Sequence, residues 1–475
     1  MRETVWGFVA AALVGLFAAA PTAITWDDVA APLRPMLRAR GLGPETFQAH
    51  ADEVRRRNRE RLREGDLDHL VYYTLQSTAF TQRPPIEPAL SAAALVAAGR
   101  VVPDDVRHRI DDLVRALARD PGRARDGEPL EADERMAYFR DILRREVTRP
   151  EEWRAFLSEQ YVRATQFFTG RGSYADRGLS TDTSVEVGYV VHLGLATLRR
   201  LEPERVVRRV LVVGPGLDVA PRTGLIEAGA PRSYQPFAVL DSLIAVGLSR
   251  AGEVEIVSID INPRVVEWIQ RVKASLRSAT AGQARLRPAT AGQEIGPRLT
   301  VVSGLADANG VRLADEYRAY LAGLGRAIGH DEPLAVLPAG HVGKTLALHR
   351  STTEALDAVE QDVVLDRLDR RFDLAVVTNV FPYLADVDLL LAMSNIAAML
   401  APGGVLLHNE ARPLVADACL ALRLELVHSR SAVIATVAGR PPVYDAVWLH
   451  RAPLRIACLK CDGVQLNARR NASVK

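Results

Sequence analysis

The chain has 475 residues, 48% of them hydrophobic and 25% charged, with 60 Lys and Arg set against 58 Asp and Glu. That composition supports a sizeable core, excludes a disordered tail or a collagen-like repeat, and argues against nucleic acid as a partner bound by bulk electrostatics. Three cysteines in so long a chain rule out a disulfide scaffold.

Val5 to Ala20 is an unbroken run of apolar residues and glycine, and no charge falls between Thr4 and Trp26. A membrane span needs about 20 apolar residues, so residues 1–25 read as a membrane anchor or a signal segment, with the tether over 5–24. A buried helix stays open beside them. Ala18 and Ala20 supply the small residues of a cleavage site, although Pro21 would follow the cut. Arg34, Arg38 and Arg40 outnumber the lone Arg2, so the positive-inside bias places a tethered chain facing the cytoplasm. Export after signal cleavage is the alternative.

Residues 26–170 read as a helical domain. Apolar positions in Val106 to Leu117 and in Met136 to Val147 recur three and four apart, which makes a one-sided stripe. The run Arg55, Arg56, Arg57, Arg59, Arg61 and Arg63 is interleaved with Glu53, Glu60 and Glu64, the pattern of a solvated helix face. Gln82 to Pro85 and Asp120 to Gly122 are breaks between helices. A glycine-rich connector, Gly170 to Gly178, then leads to Thr183-Ser184-Val185-Glu186, which has the form of a capping box.

From 171 to 455 the period changes, and short β-branched runs alternate with amphipathic helices. Val210 to Val213, Val254 to Ile259, Leu299 to Val302, Phe372 to Val377 and Gly404 to His408 are the strands; Phe237 to Leu248 and Pro263 to about Leu276 are helices. Strands alternating with helices predict an α/β fold, a doubly wound and mostly parallel sheet covered on both faces. Leu276 to Gln283 is nearly repeated at Leu286 to Gln293, and 278–297 reads as a mobile insertion. Val311 to Arg370 is long for one crossover and predicts an extra helix or two. Residues 456–475 form a tail whose Cys458 and Cys461 read as incidental thiols or a local disulfide, since no second pair completes a zinc site.

The chemistry concentrates at strand ends. Val210 to Val213 runs directly into Gly214-Pro215-Gly216, where glycine lets backbone approach a nucleotide-like cofactor. Asp260 ends the next strand, where a carboxylate can accept both hydroxyls of a ribose, and Asn262-Pro263 starts the following helix. A buried strand then ends at Asn379 in the loop Val380-Phe381-Pro382-Tyr383, and Ala401-Pro402-Gly403-Gly404 turns the chain toward His408 and Glu410.

Taken in this order, over roughly Val185 to Pro453, these residues resemble the class I S-adenosylmethionine-dependent methyltransferases. The resemblance implies a Rossmann-like domain that binds S-adenosylmethionine and passes its methyl group to an unidentified acceptor. It implies that Gly214 and Gly216 hold the methionine end, that Asp260 holds the ribose, that Asp307 faces the adenine, and that Asn379 to Tyr383 border the transferred methyl. Asn379, Tyr383 and His408 are the candidates for the catalytic end. Tyr174 to Thr183 are placed to close over the cofactor. Departures are visible: Val212 stands where the family often has an acid, Asp218 where a third glycine is expected, and Gly216 to Asp260 is about twice the usual interval of roughly 20 residues. Leu217 to Pro236 is therefore read as an added loop over the cofactor. A nicotinamide-dependent oxidoreductase shares the strand, glycine and acid logic, and a membrane-tethered scaffold with a degenerate site is the non-enzymatic alternative.

Overall fold

The computed structural model describes residues 20–118, 130–170, 172–221, 225–283, 295–334, 337 and 339–454. Its amino-terminal part contains β1 (Thr22–Ala23), α1 (Arg34–Arg38), α2 (Pro44–Gln76), α3 (Pro88–Ala97), α4 (Asp104–Ala118), α5 (Leu130–Glu146) and α6 (Trp153–Phe168). Local chemistry sets the starts. Pro44 occupies the first turn of α2 while Gly43 N donates to Thr46 Oγ1 at 2.9 Å, and Glu87 caps α3 by accepting from Ala89 N and Leu90 N. Val106, Ile110, Leu113 and Leu117 of α4 are all buried, the stripe that their spacing predicts.

Next come α7 (Val185–Leu201), β2 (Arg209–Val213), α8 (Gln235–Ala245), β3 (Glu255–Asp260), α9 (Pro263–Gln283), β4 (Ile295–Ala306), β5 (Val311–Leu313), α10 (Asp315–Gly323), β6 (Gly329–Glu332) and β7 (His341–His349). The chain finishes with α11 (Arg350–Glu354), β8 (Leu356–Glu360), β9 (Asp366–Arg367), β10 (Phe372–Val377), α12 (Asp386–Met399), β11 (Leu400–His408), α13 (Pro413–Ala421), β12 (Glu425–Val437) and β13 (Arg440–Arg451).

Eight strands form the main sheet in the order β5-β12-β13-β11-β10-β2-β3-β8. The five from β11 to β8 run parallel, and β13 returns antiparallel between β11 and β12. This is the doubly wound, mostly parallel sheet that the strand and helix alternation predicts, with helices before it. Winding starts at β2, moves out through β3 to β8, and restarts at β10 on the other flank of β2. The switch point therefore lies where β2 meets β10, and ligands of such sheets sit there, outside the carboxyl ends of the strands.

Side-chain alternation sends each strand's residues to two cores. Val210 and Val212 of β2 join Leu374 and Val376 of β10 in one core with α7 and α8, while Leu211, Val213, Ala375 and Val377 face a second core with α1, α12 and α13. Helix α2 belongs to both: Phe47, Ala51 and Val54 pack in the second core, and Leu67, Leu70 and Val71 in the first. At 1.5 Å per residue it is about 50 Å long, so it crosses from one face to the other and carries its middle residues, Asn58 to Leu62, past the carboxyl edge of the sheet.

Several expectations are corrected here. An anchor over 5–24 is not what the described end of that stretch forms. Thr22 and Ala23 pair antiparallel with Arg367 and Asp366, Ile24 N donates to Leu365 O at 2.9 Å, and the Ile24 side chain is buried in the second core. Backbone pairing and side-chain burial thus tie residues 22–24 to the folded body. No helix among the described residues is long and apolar enough to cross a membrane, which removes the support for a membrane-anchored, cytoplasm-facing chain. Residues 1–19, the break at Asp120 to Gly122, and Cys458 and Cys461 lie outside the described residues.

Leu299 to Val302 is a strand, but it belongs to a separate three-stranded antiparallel sheet of order β4-β7-β6. The third parallel strand is β8, because an insertion separates α9 from its return to the main sheet. An apolar β-branched run reads alike in either sheet, so its sequence does not reveal which neighbour it pairs with. The segment after Val311 accordingly holds strands as well as helices. The first copy of the repeat continues α9 to Gln283, and the second lies outside the described residues.

Candidate functional site

The site starts where β2 ends. Gly214 and Gly216 adopt φ of 63° and 72°, in the left-handed region that glycine enters without a Cβ penalty. Gly214 N donates to Ile259 O at 2.8 Å, which ties the loop to β3. A Cβ on Gly216 would lie 2.2 Å from Thr181 O, so the glycine is required by the close passage of the 174–183 segment. That segment is fastened to the loop by Leu217 N to Thr181 O at 2.7 Å, Thr181 Oγ1 to Leu217 O at 2.7 Å and Thr183 Oγ1 to Pro215 O at 2.9 Å.

Asp260 faces this loop from the end of β3. Its carboxylate accepts from Gly216 N at 3.4 Å and from Asn262 N at 2.8 Å. Burial pushes its pKa up to about 6, against the pull of those backbone N–H groups. One strand further out, Gln361 and Asp362 follow β8. Asp362 accepts from Asn58 Nδ2 and from Val364 N, both at 2.9 Å, and burial raises it too to about 6. Gln361 is buried with no hydrogen-bond partner at its Oε1.

The opposite wall comes from β10. Asn379 is exposed and held at φ 59°, an unusual conformation for a residue with a Cβ. It is locked by a reciprocal amide pair, Asn379 N to Asn409 Oδ1 at 2.9 Å and Asn409 Nδ2 to Asn379 Oδ1 at 2.8 Å. The loop that follows is held through its carbonyls: Arg412 donates to Phe381 O and Leu384 O, and Arg61 donates to Tyr383 O at 2.9 Å. Across the mouth, the Tyr174 and Tyr383 rings meet edge to face with centroids 5.2 Å apart. Together these walls enclose a cavity of about 310 Å³ that reaches Gly214, Gly216, Asp260, Asp362, Asn379 and Tyr383.

Five of the residues singled out in the sequence therefore converge: Gly214, Gly216, Asp260, Asn379 and Tyr383 all line one cavity. Two do not. Asp307 follows β4 of the insert sheet, pairs with Arg318 and accepts from Leu313 N at 2.7 Å, away from the cavity. Its expected place beside the third parallel strand is taken by Asp362. His408 points into the second face of the sheet, stacked on Trp448 and His450 with its ring beneath Phe381. Burial lowers its pKa to about 3, so it is a neutral core histidine and does not line the cavity. His408, Cys419 and His450 gather possible ligand atoms within 4.8 Å of one another. The two imidazoles stack 14° from parallel; Glu410 N donates to His408 Nδ1, while His408 Nε2 and His450 Nδ1 are buried without a hydrogen-bond partner.

The arginine run is only partly a solvated face. Arg55 and Arg56 pair with Asp52, Glu53 and Glu60 in solvent, but Arg57 reaches the buried Asp388, and Arg61 is 5% exposed. Nothing in a run of arginines marks which member turns inward; the phase of α2 against the sheet decides it. The described residues of Leu217 to Pro236 do not line the cavity. Val219, Ala220 and Ile226 are buried in the first core, and Arg135 of α5 donates to Val219 O at 3.1 Å. Asn409 and Asp362 escaped sequence reasoning: Asn409 directly follows a strand that the periodicity marks, whereas Asp362 follows β8, which lies in the segment read as extra helix.

No family profile matches the chain, and no curated protein matches it in sequence. Solved structures do. One is the N-methyltransferase NodS from Bradyrhizobium japonicum WM9 in complex with S-adenosyl-l-homocysteine, 15% identical, covering 55% of this chain and 85% of its own, with a TM-score of 0.25. Another is magnesium protoporphyrin IX methyltransferase from Synechocystis PCC 6803 with bound SAM, 10% identical over 56% of this chain and 80% of its own, at 0.28. The glycopeptide N-methyltransferase MtfA is 10% identical over 56% of this chain and 96% of its own, at 0.27. The chain is similar to these methyltransferases. At such scores the superpositions are loose, and the fold assignment rests on strand order and register instead.

Proposed function

We propose that the chain binds S-adenosylmethionine and transfers its methyl group to an acceptor. The observation that carries this reading is the meeting of Asp260 with the Gly214–Gly216 loop at the switch point, where a buried carboxylate already turns one oxygen to Gly216 N–H. A ribose bound there gives that carboxylate two hydroxyl donors, and the glycine loop gives backbone N–H groups to a polar tail. Gln361 Oε1, buried and without a partner, supplies an acceptor for an amino group, and Asp362 stands beside it. The residues present thus fit the nucleoside and the amino-acid ends of such a donor.

When bound, a sulfonium donor supplies an electrophilic methyl carbon that needs in-line placement against a nucleophile and little else. The chain's contribution is orientation. Asp260 and the glycine loop hold one side, and the Asn379–Asn409 lock with the guanidinium-held loop to Leu384 fixes the other. His408 takes no part as a base, since burial makes its imidazole hard to protonate and it does not line the cavity.

Isothermal titration of the full chain with S-adenosylmethionine and, separately, with NADH tests this reading. Saturable binding of the first and none of the second is expected; preference for NADH transfers the site to hydride chemistry, and binding of neither to folded protein ends the proposal. Mass spectrometry of extracts incubated with methyl-labelled donor then identifies the acceptor.

A further inference from the structure

Arg61 joins two segments that face each other across the cavity. Its Nε donates to Arg177 O at 2.7 Å and one terminal nitrogen to Tyr174 O at 3.0 Å, while the other reaches Tyr383 O at 2.9 Å. The guanidinium also sits over the Tyr383 ring, 5.8 Å from its centroid. A buried cation is costly unless its donors are satisfied, and burial is the first cause that lowers the pKa of Arg61. These donors go to backbone carbonyls of two segments far apart in sequence.

The backbone beneath repeats the connection. Leu179 N donates to Arg61 O at 2.8 Å, and α2 approaches the 174–183 segment so closely that a Cβ on Gly65 would lie 2.0 Å from Leu179 O. Arg412 grips the far loop from its other side, through Phe381 O and Leu384 O. Of the two guanidiniums, only Arg61 spans the mouth.

We infer that Arg61 is a positioning residue. It sets the spacing of Tyr174 and Tyr383 across the mouth and so retains the bound donor, by holding two backbones and not by touching the reacting group. The inference rests on the donor reading above.

Arg61→Met and Arg61→Lys in the full chain test it, with Gly65→Ala as the comparison. In ligand-free Arg61→Met, amide exchange should quicken in both 174–183 and 380–384 while the rest of the sheet keeps its protection. Gly65→Ala should loosen 174–183 alone. S-adenosylhomocysteine should leave Arg61→Met about tenfold faster, with little change in its association rate, as for a residue that gates release. One ammonium reaches fewer of the three carbonyls, so Arg61→Lys should fall between wild type and Arg61→Met. Unchanged exchange and release in Arg61→Met overturn the inference, as does a uniform loss of protection, which marks a merely structural role. Wild-type protein that binds no S-adenosylhomocysteine overturns the donor reading and the retention claim with it, whereas wild type that binds while Arg61→Met releases at the same rate overturns the role of Arg61 alone.

Discussion

The carboxyl edge of the main sheet and the end of the insert sheet each present an aspartate at a strand's end, and their surroundings differ completely. Asp260 is buried against backbone N–H groups at a switch point, flanked by glycines and by a second raised carboxylate, Asp362. Asp307 is paired with Arg318, and its side chain is 35% exposed. The same residue at a similar position in a strand lines a cavity in one sheet and makes a surface ion pair in the other. What separates them is the sheet's topology: only a doubly wound parallel sheet opens a crevice where its winding reverses.

Substitutions sharpen that contrast, and the largest effect is expected at Asp260. Asp260→Asn should weaken S-adenosylmethionine binding about a hundredfold, the scale of about 2–3 kcal/mol for hydrogen bonds to a charged group, as read by calorimetry. Gly216→Ala forces a Cβ to within 2.2 Å of Thr181 O at φ 72°, and denaturant unfolding should show a loss of about 2 kcal/mol or more. Asp362→Asn keeps an acceptor oxygen and should cost about tenfold in affinity.

Acidity should separate binding from stability. Both raised carboxylates sit at about 6 in the folded protein against roughly 4 unfolded. Their contribution to ligand-free stability is full below about pH 4 and is lost as pH rises through about 6. Donor affinity should move the other way, rising over the same interval as Asp260 ionises; an affinity flat between pH 5 and 7 in titrations would contradict the role given to this carboxylate. The smallest effect is expected at the other aspartate. Asp307→Asn should leave affinity unchanged and shift stability by no more than about 0.5 kcal/mol, because an exposed ion pair contributes little.

Much of this was legible in the chain. Gly214, Gly216 and Asp260 announce themselves because strand, glycine and acid lie within short local stretches whose periodicity is plain. Asn379 was legible for the same reason, as the polar end of an apolar run. Asp307 misled because Leu299 to Val302 has the composition of a parallel core strand, and a three-stranded antiparallel sheet accepts the same residues. His408 misled because a strand terminus reads as a site position whichever way the side chain turns. Arg61 was hidden inside a charge pattern that fits solvent, and Asn409, although it follows a marked strand, gave no sign that it pairs with Asn379.

The sequence by itself determined the alternation of strands and helices, the glycine turn, and the acid that follows it, since these follow from backbone conformation and from periodicity within short stretches of chain. Only the tertiary structure decided which strand stands third in the main sheet, which aspartate lines the cavity, and which arginine of α2 turns inward. Those outcomes depend on contacts between segments distant in sequence, such as Arg61 with Tyr383 or Asn379 with Asn409, and no local pattern encodes the register that brings them together.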